Sequence, residues 1–318
     1  MKRIFLCACL AVGCAWILRL SADDSTAHRP KRINKAIELL EQRQPIYYTG
    51  GHGGYQEGVR LAHTWADYIN YEMEHGLFDL GQLREFMRGL AAGGPTKSGH
   101  RTPAVIVTLP VGGIDEAAIH ANYWMIGQVM DAGVHGILLC HARSPEAVRL
   151  FVQACRFPHQ KLGVKDGGLE EGLRGSGGQG FASQIWGISG SEYLKKADVW
   201  PLNPEGEILL GLKVEDKYAL ANAERVTKVP GIGFAEWGPG DMGMSLGFPE
   251  NHDPPYPPAM EQARSRVLAA CKAAHIAFLN QVKVDDVESM IREGVMIGAG
   301  NEAAAEKGRR YTKRTMPW

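Results

Sequence analysis

Cysteine is scarce in this sequence and neither sign of charge predominates, and both absences exclude classes of protein. The 318 residues include only 6 cysteines, without a Cys-x-x-Cys pair or a Cys/His zinc spacing, so a disulfide-rich scaffold and a zinc-finger protein are excluded. The 35 basic and 35 acidic residues cancel, which argues against binding to nucleic acid through a basic surface. Internal repeats, blocks of like charge and Pro-rich linkers are also missing, so we expect a single domain.

The apolar run of about 20 residues that a membrane span needs is missing too, but a shorter run opens the chain. A Lys-Arg pair precedes the apolar residues 4–18, and Leu20-Ser21-Ala22 precedes two aspartates. This pattern is typical of a secretory signal, so we expect residues 1–22 to be removed and the protein to be exported to the periplasm or secreted. Cleavage removes three of the 35 basic residues and no acid, so the mature protein is mildly acidic, without a membrane span.

A lipoprotein signal is the second interpretation of the same segment. Ala11-Val12-Gly13-Cys14 resembles a lipoprotein box with Cys14 as the lipidated residue. The apolar residues 15–18 follow it, where a polar tether is expected, so simple cleavage is favoured.

Short apolar strands then alternate with amphipathic helices. Eight alternations predict a (β/α)8 (TIM) barrel at residues 45–318, behind an N-terminal extension at residues 23–44. The strand candidates are Ile46–Thr49, Tyr68–Met73, Ala104–Leu109, Gly136–Cys140, Ile208–Val214, Ile232–Trp237, Ile276–Leu279 and Val295–Gly298. The helix candidates are Tyr55–Trp65, Leu80–Leu90, Glu116–Ala132, Pro145–Cys155, Lys217–Thr227, Pro258–Ala274, Val284–Glu293 and Asn301–Tyr311.

One interval, residues 156–205, is longer than most barrel loops. Its glycine-rich part, residues 172–180, is not followed by Gly-Lys-Ser/Thr and is therefore not a phosphate loop. We expect one helix near Ser191–Lys196. Long loops of this kind usually cover an active site or form an oligomer contact.

Acidic residues stand at the carboxyl ends of three predicted strands, where a barrel carries its active site. Strand two ends in Glu72-Met73-Glu74-His75, and alternation places its two acids on one face. Strand five ends at Glu215 and strand six leads into Asp241. Carboxylates on neighbouring strand ends suit a hard cation such as Mg²⁺ or Mn²⁺. The local alternatives are that Glu215 caps the next helix and that Asp241 stabilises a Gly-Pro-Gly turn.

These stretches resemble the signature stretches of the HpcH/HpaI aldolase/citrate lyase family. The matching residues are Glu72-Met73-Glu74-His75, Leu212-Lys213-Val214-Glu215 and Gly238-Pro239-Gly240-Asp241-Met242-Gly243, within a resemblance from about Tyr48 to Gly300. The family is similar to metal-dependent class II aldolases on a (β/α)8 barrel, often hexameric with exchanged C-terminal helices. The resemblance therefore implies a homo-oligomer, hexamer or trimer, and a carbon–carbon lyase that cleaves a hydroxylated 2-oxo acid or a related compound.

The resemblance also implies roles for single residues. Glu215 and Asp241 would be the ligands of a divalent metal, Mg²⁺ or Mn²⁺, which stabilises the enolate left when the carbon–carbon bond breaks. His75 matches the family's catalytic histidine, and Asp131 matches the acid that orients it. Glu74 matches an acid that holds a metal-bound water.

Three stretches depart from the family pattern. Thr108 stands where the family commonly has an arginine that contacts the pyruvyl unit, and Lys213 stands where it often has glutamine. We hypothesise that Lys213 replaces part of the missing charge in substrate binding, the alternative being that Lys213 pairs with a neighbouring acid. Gly240 and Gly243 replace an alanine and a serine, and the lost hydroxyl indicates either changed surroundings of the metal ligands or a roomier substrate site around Gly240.

Other residues near the strand ends match no family motif firmly. His52 and His141 follow strands one and four, and Cys140 is interpreted as a buried core thiol. The aromatic residues with two interpretations, core packing or a pocket for a larger partner, are Tyr123, Trp124, Trp186 and Trp237.

Two other functions stay open. A diverged metal-dependent lyase, decarboxylase or isomerase would act on a substrate without a pyruvyl carboxylate, which Thr108 permits. A non-catalytic exported binding protein on the same barrel is the alternative from another class. The pair of His75 and Asp131 argues against it, since a binding protein needs no acid–base pair.

Overall fold

The computed structural model describes residues 28–318, so the predictions for the signal segment and Cys14 lie outside the described residues. The described residues contain nine parallel strands. The strands are β1 (Ile46–Gly51), β2 (Tyr68–Glu72), β3 (Ala104–Gly112), β4 (Gly136–Cys140), β5 (Val199–Trp200), β6 (Ile208–Lys213), β7 (Phe234–Glu236), β8 (Ala277–Gln281) and β9 (Val295–Ala299). The helices are α1 (Lys35–Glu41), α2 (Tyr55–Leu61), α3 (Leu80–Gly93), α4 (Glu116–Asp131), α5 (Pro145–Ala154), α6 (Gln179–Trp186), α7 (Gly190–Lys196), α8 (Lys217–Ala221), α9 (Ala223–Val226), α10 (Pro239–Leu246), α11 (Pro258–Ala274), α12 (Val287–Glu293) and α13 (Glu302–Tyr311).

Eight of these strands close into a barrel, which confirms the predicted (β/α)8 fold in a single domain. The sheet closes through the β1–β9 and β4–β6 pairings, while the two-residue β5 pairs only with the start of β6. All eight strand candidates are present. Among residues 28–318, none of the helices combines the length and apolar character that a membrane crossing needs.

The inside of the barrel is apolar where the strands begin and polar where they end. Tyr68, Leu209 and Phe234 belong to a buried apolar cluster within the ring. Because side chains alternate along a strand, positions two or four residues further on the same inward face reach the carboxyl end. Those positions carry Glu72, Lys213 and Glu236. The fold therefore presents charged side chains at one end of the barrel.

The predicted N-terminal extension contains a helix that closes the other end of the barrel. Ala36, Ile37 and Leu39 of α1 are fully buried within the apolar cluster of the ring. Asn34 caps this helix, since its side chain accepts from two backbone N–H groups of the first turn. The same side chain donates to the backbone oxygen of His135, which ties α1 to the start of β4.

Other differences from the sequence-based elements have local causes. The candidate Lys217–Thr227 is split into α8 and α9 at Asn222, whose side chain donates to the backbone of Arg143. The Gly-Pro-Gly-Asp stretch begins α10 instead of forming only a turn, with Gly238 as N-cap and Pro239 in the first position. The last helix, α13, contacts α12 and β1 of its own barrel, so exchange of C-terminal helices between protomers stays a prediction.

The long interval 156–205 lies beside the barrel. Trp186 of α6 donates to the backbone of Gly133, and Arg101 donates to the backbone of Ile185. Gly133 and Arg101 precede β4 and β3, so α6 packs where these strands begin. The expectation of a cover over the active site is therefore wrong for α6, and an oligomer contact stays a prediction.

A buried ion cluster joins the two ends of the described chain at the amino end of the barrel. Asp67 Oδ1 lies 2.8 Å from Arg314 Nη1 and 3.3 Å from Lys35 Nζ, and Asp67 Oδ2 lies 3.2 Å from Arg309 Nη2. Burial alone would raise the pKa of Asp67, but Arg314, Lys35 and Arg309 hold it well below its ordinary value. One carboxylate thus balances three buried cations.

We expect Asp67→Asn to lower the free energy of unfolding by about 3–5 kcal/mol, because it leaves three buried cations without a counter-charge. Chemical denaturation at neutral pH measures the loss. The depressed pKa means that the cluster contributes fully above about pH 4 and loses its contribution only as the pH falls further. Glu306→Gln, which breaks the exposed pair with Arg310, is the control and should cost about 0.5 kcal/mol at most. An equal cost for both variants would contradict the assignment.

Candidate active site

The carboxyl end of the barrel carries a crowded set of ionisable side chains, which we call the charged layer. Its members project from the ends of β2, β6 and β7 or follow directly on them. They are Lys213, Glu72, Glu74, Glu215, Glu236 and Asp241. Five acids therefore surround one base, an imbalance that is costly in a partly buried site.

Lys213 is the basic member of the charged layer and contacts two of the acids. Its Nζ lies 2.5 Å from Glu74 Oε2 and 3.4 Å from Glu215 Oε2. Burial alone would lower the pKa of Lys213, but Glu236 and Glu215 raise it well above its ordinary value. The side chain is therefore a cation paired with acids, and a protonated amine cannot act as a Schiff-base nucleophile.

Glu215 is fully buried and has one oxygen without a hydrogen-bond partner among the described residues. Its Oε1 accepts from the backbone N–H of His141 at 2.9 Å, whereas Oε2 accepts no hydrogen bond. Burial raises the pKa of Glu215 to about 7, against the opposing effect of Lys213. A buried carboxylate oxygen without a partner is costly, and a bound cation would remove that cost.

Two groups of candidate metal-ligand atoms meet in the charged layer and share Glu74. Ligand atoms of Glu74, Cys140 and Glu215 lie within 4.8 Å of one another, and so do those of Glu74, His75 and Asp241. Glu215 and Asp241, the two ligands predicted from the sequence, therefore fall in different groups, and Glu74 belongs to both. Carboxylates in this number, one of them with an unpartnered oxygen, fit a divalent cation.

The structure assigns the helix cap to Asp216, so the local alternative for Glu215 is wrong. One Asp216 oxygen accepts from two backbone N–H groups at the start of α8. The other oxygen lies 2.8 Å from Arg143 Nε and 3.1 Å from His141 Nδ1. Glu215 has no part in this cap and faces the charged layer.

The structure places His75 beside Glu74 and does not bring Asp131 to it. His75 Nε2 lies 3.4 Å from Glu74 Oε2, and its imidazole is mostly exposed. Asp131 is the last residue of α4, which runs back toward the amino ends of the strands, and its carboxylate accepts from Arg174 at 3.0 Å. Within one chain, Asp131 therefore cannot orient His75, and Glu74 is the acid beside the imidazole.

The two residues predicted to shape the substrate site lie at this end of the barrel. Thr108 is fully buried, and its Oγ1 donates to Asn70 Oδ1 at 2.8 Å. Gly240 lies in the first turn of α10, where an added Cβ would stand 3.1 Å from His252 Nδ1. A side chain at Gly240 would therefore press on the loop that carries His252.

Two members of this end of the barrel are not identified as site residues by the motifs. Glu236 stands two residues after the inward Phe234 and pairs in register with Lys213. Burial and the surrounding acids raise the pKa of Glu236 despite the opposing effect of Lys213. Cys140 stands two residues after the inward Leu138 and is buried, as predicted. The alternation that groups Glu72 with Glu74 would have found both.

The remaining candidates divide between core and surface. Trp186 and Trp237 are buried, so core packing is confirmed for them. Tyr123 and Trp124 are exposed on α4. His52 is exposed at the end of β1 and is not part of the charged layer.

Comparison with known proteins gives a consistent family and fold. The model of the HpcH/HpaI aldolase/citrate lyase family matches residues 60–301. A hydroxypyruvate/pyruvate aldolase of Deinococcus radiodurans is 31% identical over 211 residues, which are 66% of this chain and 63% of that protein. A 2-keto-3-deoxy-L-rhamnonate aldolase of Klebsiella pneumoniae is 30% identical over 157 residues, which are 49% of this chain and 52% of that protein. The matches thus span about half to two thirds of these curated relatives.

A solved structure agrees with the fold. An HpcH/HpaI aldolase/citrate lyase family protein from Burkholderia cenocepacia superposes with a TM-score of 0.64 at 23% identity, over 86% of this chain and 96% of that chain. At this identity the likeness shows the barrel.

We expect Gly238→Ala to displace Glu215. Gly238 has a φ of 50°, and a Cβ there would lie 2.5 Å from Glu215 Cβ and 2.8 Å from Glu215 Oε2. The variant should lose about 1–2 kcal/mol of stability from backbone strain and should also bind divalent cations more weakly in calorimetric titrations. Gly247→Ala is the matched control, because its φ is 86° but nothing lies within 4 Å of an added Cβ. Equal cation binding by both variants would show that a Cβ at position 238 does not displace Glu215.

Proposed function

The chain belongs to the HpcH/HpaI aldolase/citrate lyase family, and on that basis we propose that it is a divalent-metal-dependent carbon–carbon lyase of the aldolase type. The proposed substrate is a hydroxylated 2-oxo acid or a related compound. The observation that carries the proposal is Glu215, a fully buried carboxylate with an unpartnered oxygen within a layer of acids. The two relatives named aldolases support the class of reaction.

Glu215 and Asp241 would hold the cation, with Glu74 next to both. A bound divalent cation supplies Lewis acidity toward a substrate oxygen. The carboxylates taken alone suit Mg²⁺ or Mn²⁺. The charged layer holds more acids than the single base Lys213 can balance. This excess supports the proposal, because a cation of charge +2 offsets part of the repulsion among the acids.

The proton transfer is assigned to Glu74 and His75. Their side chains lie 3.4 Å apart, and the imidazole reaches solvent. Glu74 or His75 can therefore take a proton from a substrate hydroxyl and pass it to water. In the reverse direction, the same two side chains can carry a proton from water to a substrate carbanion. This assignment replaces the pairing of His75 with Asp131 within one chain.

Lys213 is the residue proposed to receive the substrate carboxylate. Thr108 supplies no charge there, and its hydroxyl hydrogen is given to Asn70. Lys213 remains the cation of the charged layer. To bind a substrate, its Nζ would exchange contacts with Glu74 for contacts with the substrate.

Thr108 and Glu236 favour a second candidate function. The charged layer repels an anionic substrate unless metal and Lys213 outweigh its acids. A lyase, decarboxylase or isomerase acting on a substrate without a pyruvyl carboxylate would avoid this cost. Both candidates need the same metal ligands.

Export and assembly are proposed from the sequence. We infer that residues 1–22 direct export and that the barrels associate into trimers or hexamers. The N-terminal sequence of the protein recovered outside the cytoplasm tests the first point, and sedimentation of the mature chain tests the second.

We expect pyruvate release from at least one hydroxylated 2-oxo acid of a substrate panel, only with a divalent cation present. Glu215→Gln should lower kcat/KM by at least ~10²–10³-fold, because one charged ligand is lost. Glu306→Gln, on the surface of α13, should keep full activity. Bound metal without pyruvate would move the assignment to the second candidate, and the absence of both would leave a binding protein.

We expect Lys213→Met to raise KM for 2-oxo acids by ~10–100-fold, which corresponds to loss of a charge-assisted hydrogen bond. Lys217→Met removes an exposed lysine of α8 and is the control. Steady-state kinetics with the best substrate of the panel measures both variants. An unchanged KM and kcat for Lys213→Met would show that this lysine only pairs with acids.

A further inference from the structure

A thiol stands among the carboxylates of the charged layer. Ligand atoms of Cys140, Glu74 and Glu215 lie within 4.8 Å of one another. The Cys140 Sγ–H donates to the backbone oxygen of Leu109 at 3.2 Å. The other cysteines of the described part of the chain, Cys155 and Cys271, are buried in the apolar core. Cys140 is therefore the described cysteine that belongs to a cluster of possible metal ligands.

A second observation points into the same cluster. Glu215 is 0% exposed, and its Oε2 has no hydrogen-bond partner. The orphaned atom belongs to the side chain that shares this cluster with Cys140 and Glu74. The cluster thus contains a ligand atom whose bonding is incomplete in the protein alone.

Lys213 does not complete that bonding. Its Nζ lies 2.5 Å from Glu74 Oε2 but 3.4 Å from Glu215 Oε2, where no hydrogen bond forms. Three acids, Glu236, Glu215 and Glu74, act on this one ammonium, so Lys213 does not balance their charge. A metal bound at Glu215 would take the place of the Lys213 ammonium.

We propose that Cys140 is a sulfur ligand of this metal site, binding the same cation as Glu215 with Glu74 beside it, and that the site therefore prefers Zn²⁺, Co²⁺ or Fe²⁺ to Mg²⁺. Thiolate ligands select the softer divalent cations, whereas carboxylates alone suit the hard ones. Binding replaces the thiol proton, which leaves to solvent, with the metal. The inference rests on the proposed metal site and not on the proposed reaction.

Cys140 is enclosed by protein, with an exposed fraction of 1%. A buried neutral thiol is a poor nucleophile. A coordinating metal removes the proton outright, so a ligand role suits the surroundings of Cys140 better than a nucleophilic role.

Co²⁺ alone, added to the metal-free full-length protein, tests the proposal by absorption spectroscopy. We expect one bound equivalent with the near-ultraviolet sulfur-to-cobalt charge-transfer band. Cys140→Ser should abolish the band and weaken Zn²⁺ binding by at least ~10–100-fold, the range for disturbed metal sites. It should leave Mg²⁺ binding within about twofold. Serine keeps a donor for the backbone oxygen of Leu109, and a thermal melt checks that the variant folds.

Three control variants show whether the band comes from Cys140 alone, and a fourth variant tests the role of Lys213. Cys155→Ala and Cys271→Ala should keep the band, because neither thiol belongs to the cluster. Serine at positions 7, 9 and 14 should also keep it, which excludes the cysteines near the N-terminus. Lys213→Met should tighten Co²⁺ binding, because it removes the competing ammonium.

Bound Co²⁺ without the band, or a band that survives Cys140→Ser, would overturn the proposal. Pyruvate release that depends on Mg²⁺ in a protein without the band would overturn the sulfur ligand and leave the proposed function standing. Failure to bind any of these cations would overturn both.

Discussion

The repulsion among five carboxylates around one ammonium is the constraint on which the candidate site depends. A barrel brings the ends of its strands together, so acids at the ends of β2, β6 and β7 must share a small volume. Lys213 donates to Glu74 and lies 3.4 Å from Glu215 Oε2, which accepts no hydrogen bond from the described residues. Burial raises the pKa of Glu215 and of Glu236, and the neighbouring acids add to the rise. An added cation is the simplest way to lower this cost while keeping every acid.

The opposite end of the barrel supplies stability that offsets the cost of this charged site. There α1 closes an apolar interior, and Asp67 pairs with three buried cations from both ends of the described chain. Stability therefore resides where the strands begin, and the strand ends can carry groups that oppose folding. This division separates variants at Asp67, which act on folding, from variants at Glu215, which act on the site.

Much of this arrangement follows from the sequence because strand ends and alternation are local properties. The eight strands, the inward acids of β2 and the convergence of Glu74, His75 and Asp241 all follow from them. Glu236 and Cys140 have no family motif, so only systematic use of the alternation would have identified them. The helix α1 is short, and its apolar residues Ala36, Ile37 and Leu39 have a visible role only once the barrel that they close is formed. The role of Asp131 depends on where the end of α4 lies in the folded barrel, and no sequence motif gives that position. In the structure, Asp131 is separated from His75.

Both proposals require that a divalent cation binds within the charged layer with Glu215 as a ligand. Anomalous diffraction from crystals of the metal-free protein soaked with Co²⁺ tests it most directly. We expect one strong peak beside Glu215 Oε2 and a Lys213 side chain that has left Glu74. A charged layer without a peak, with Lys213 still bonded to Glu74, would contradict it.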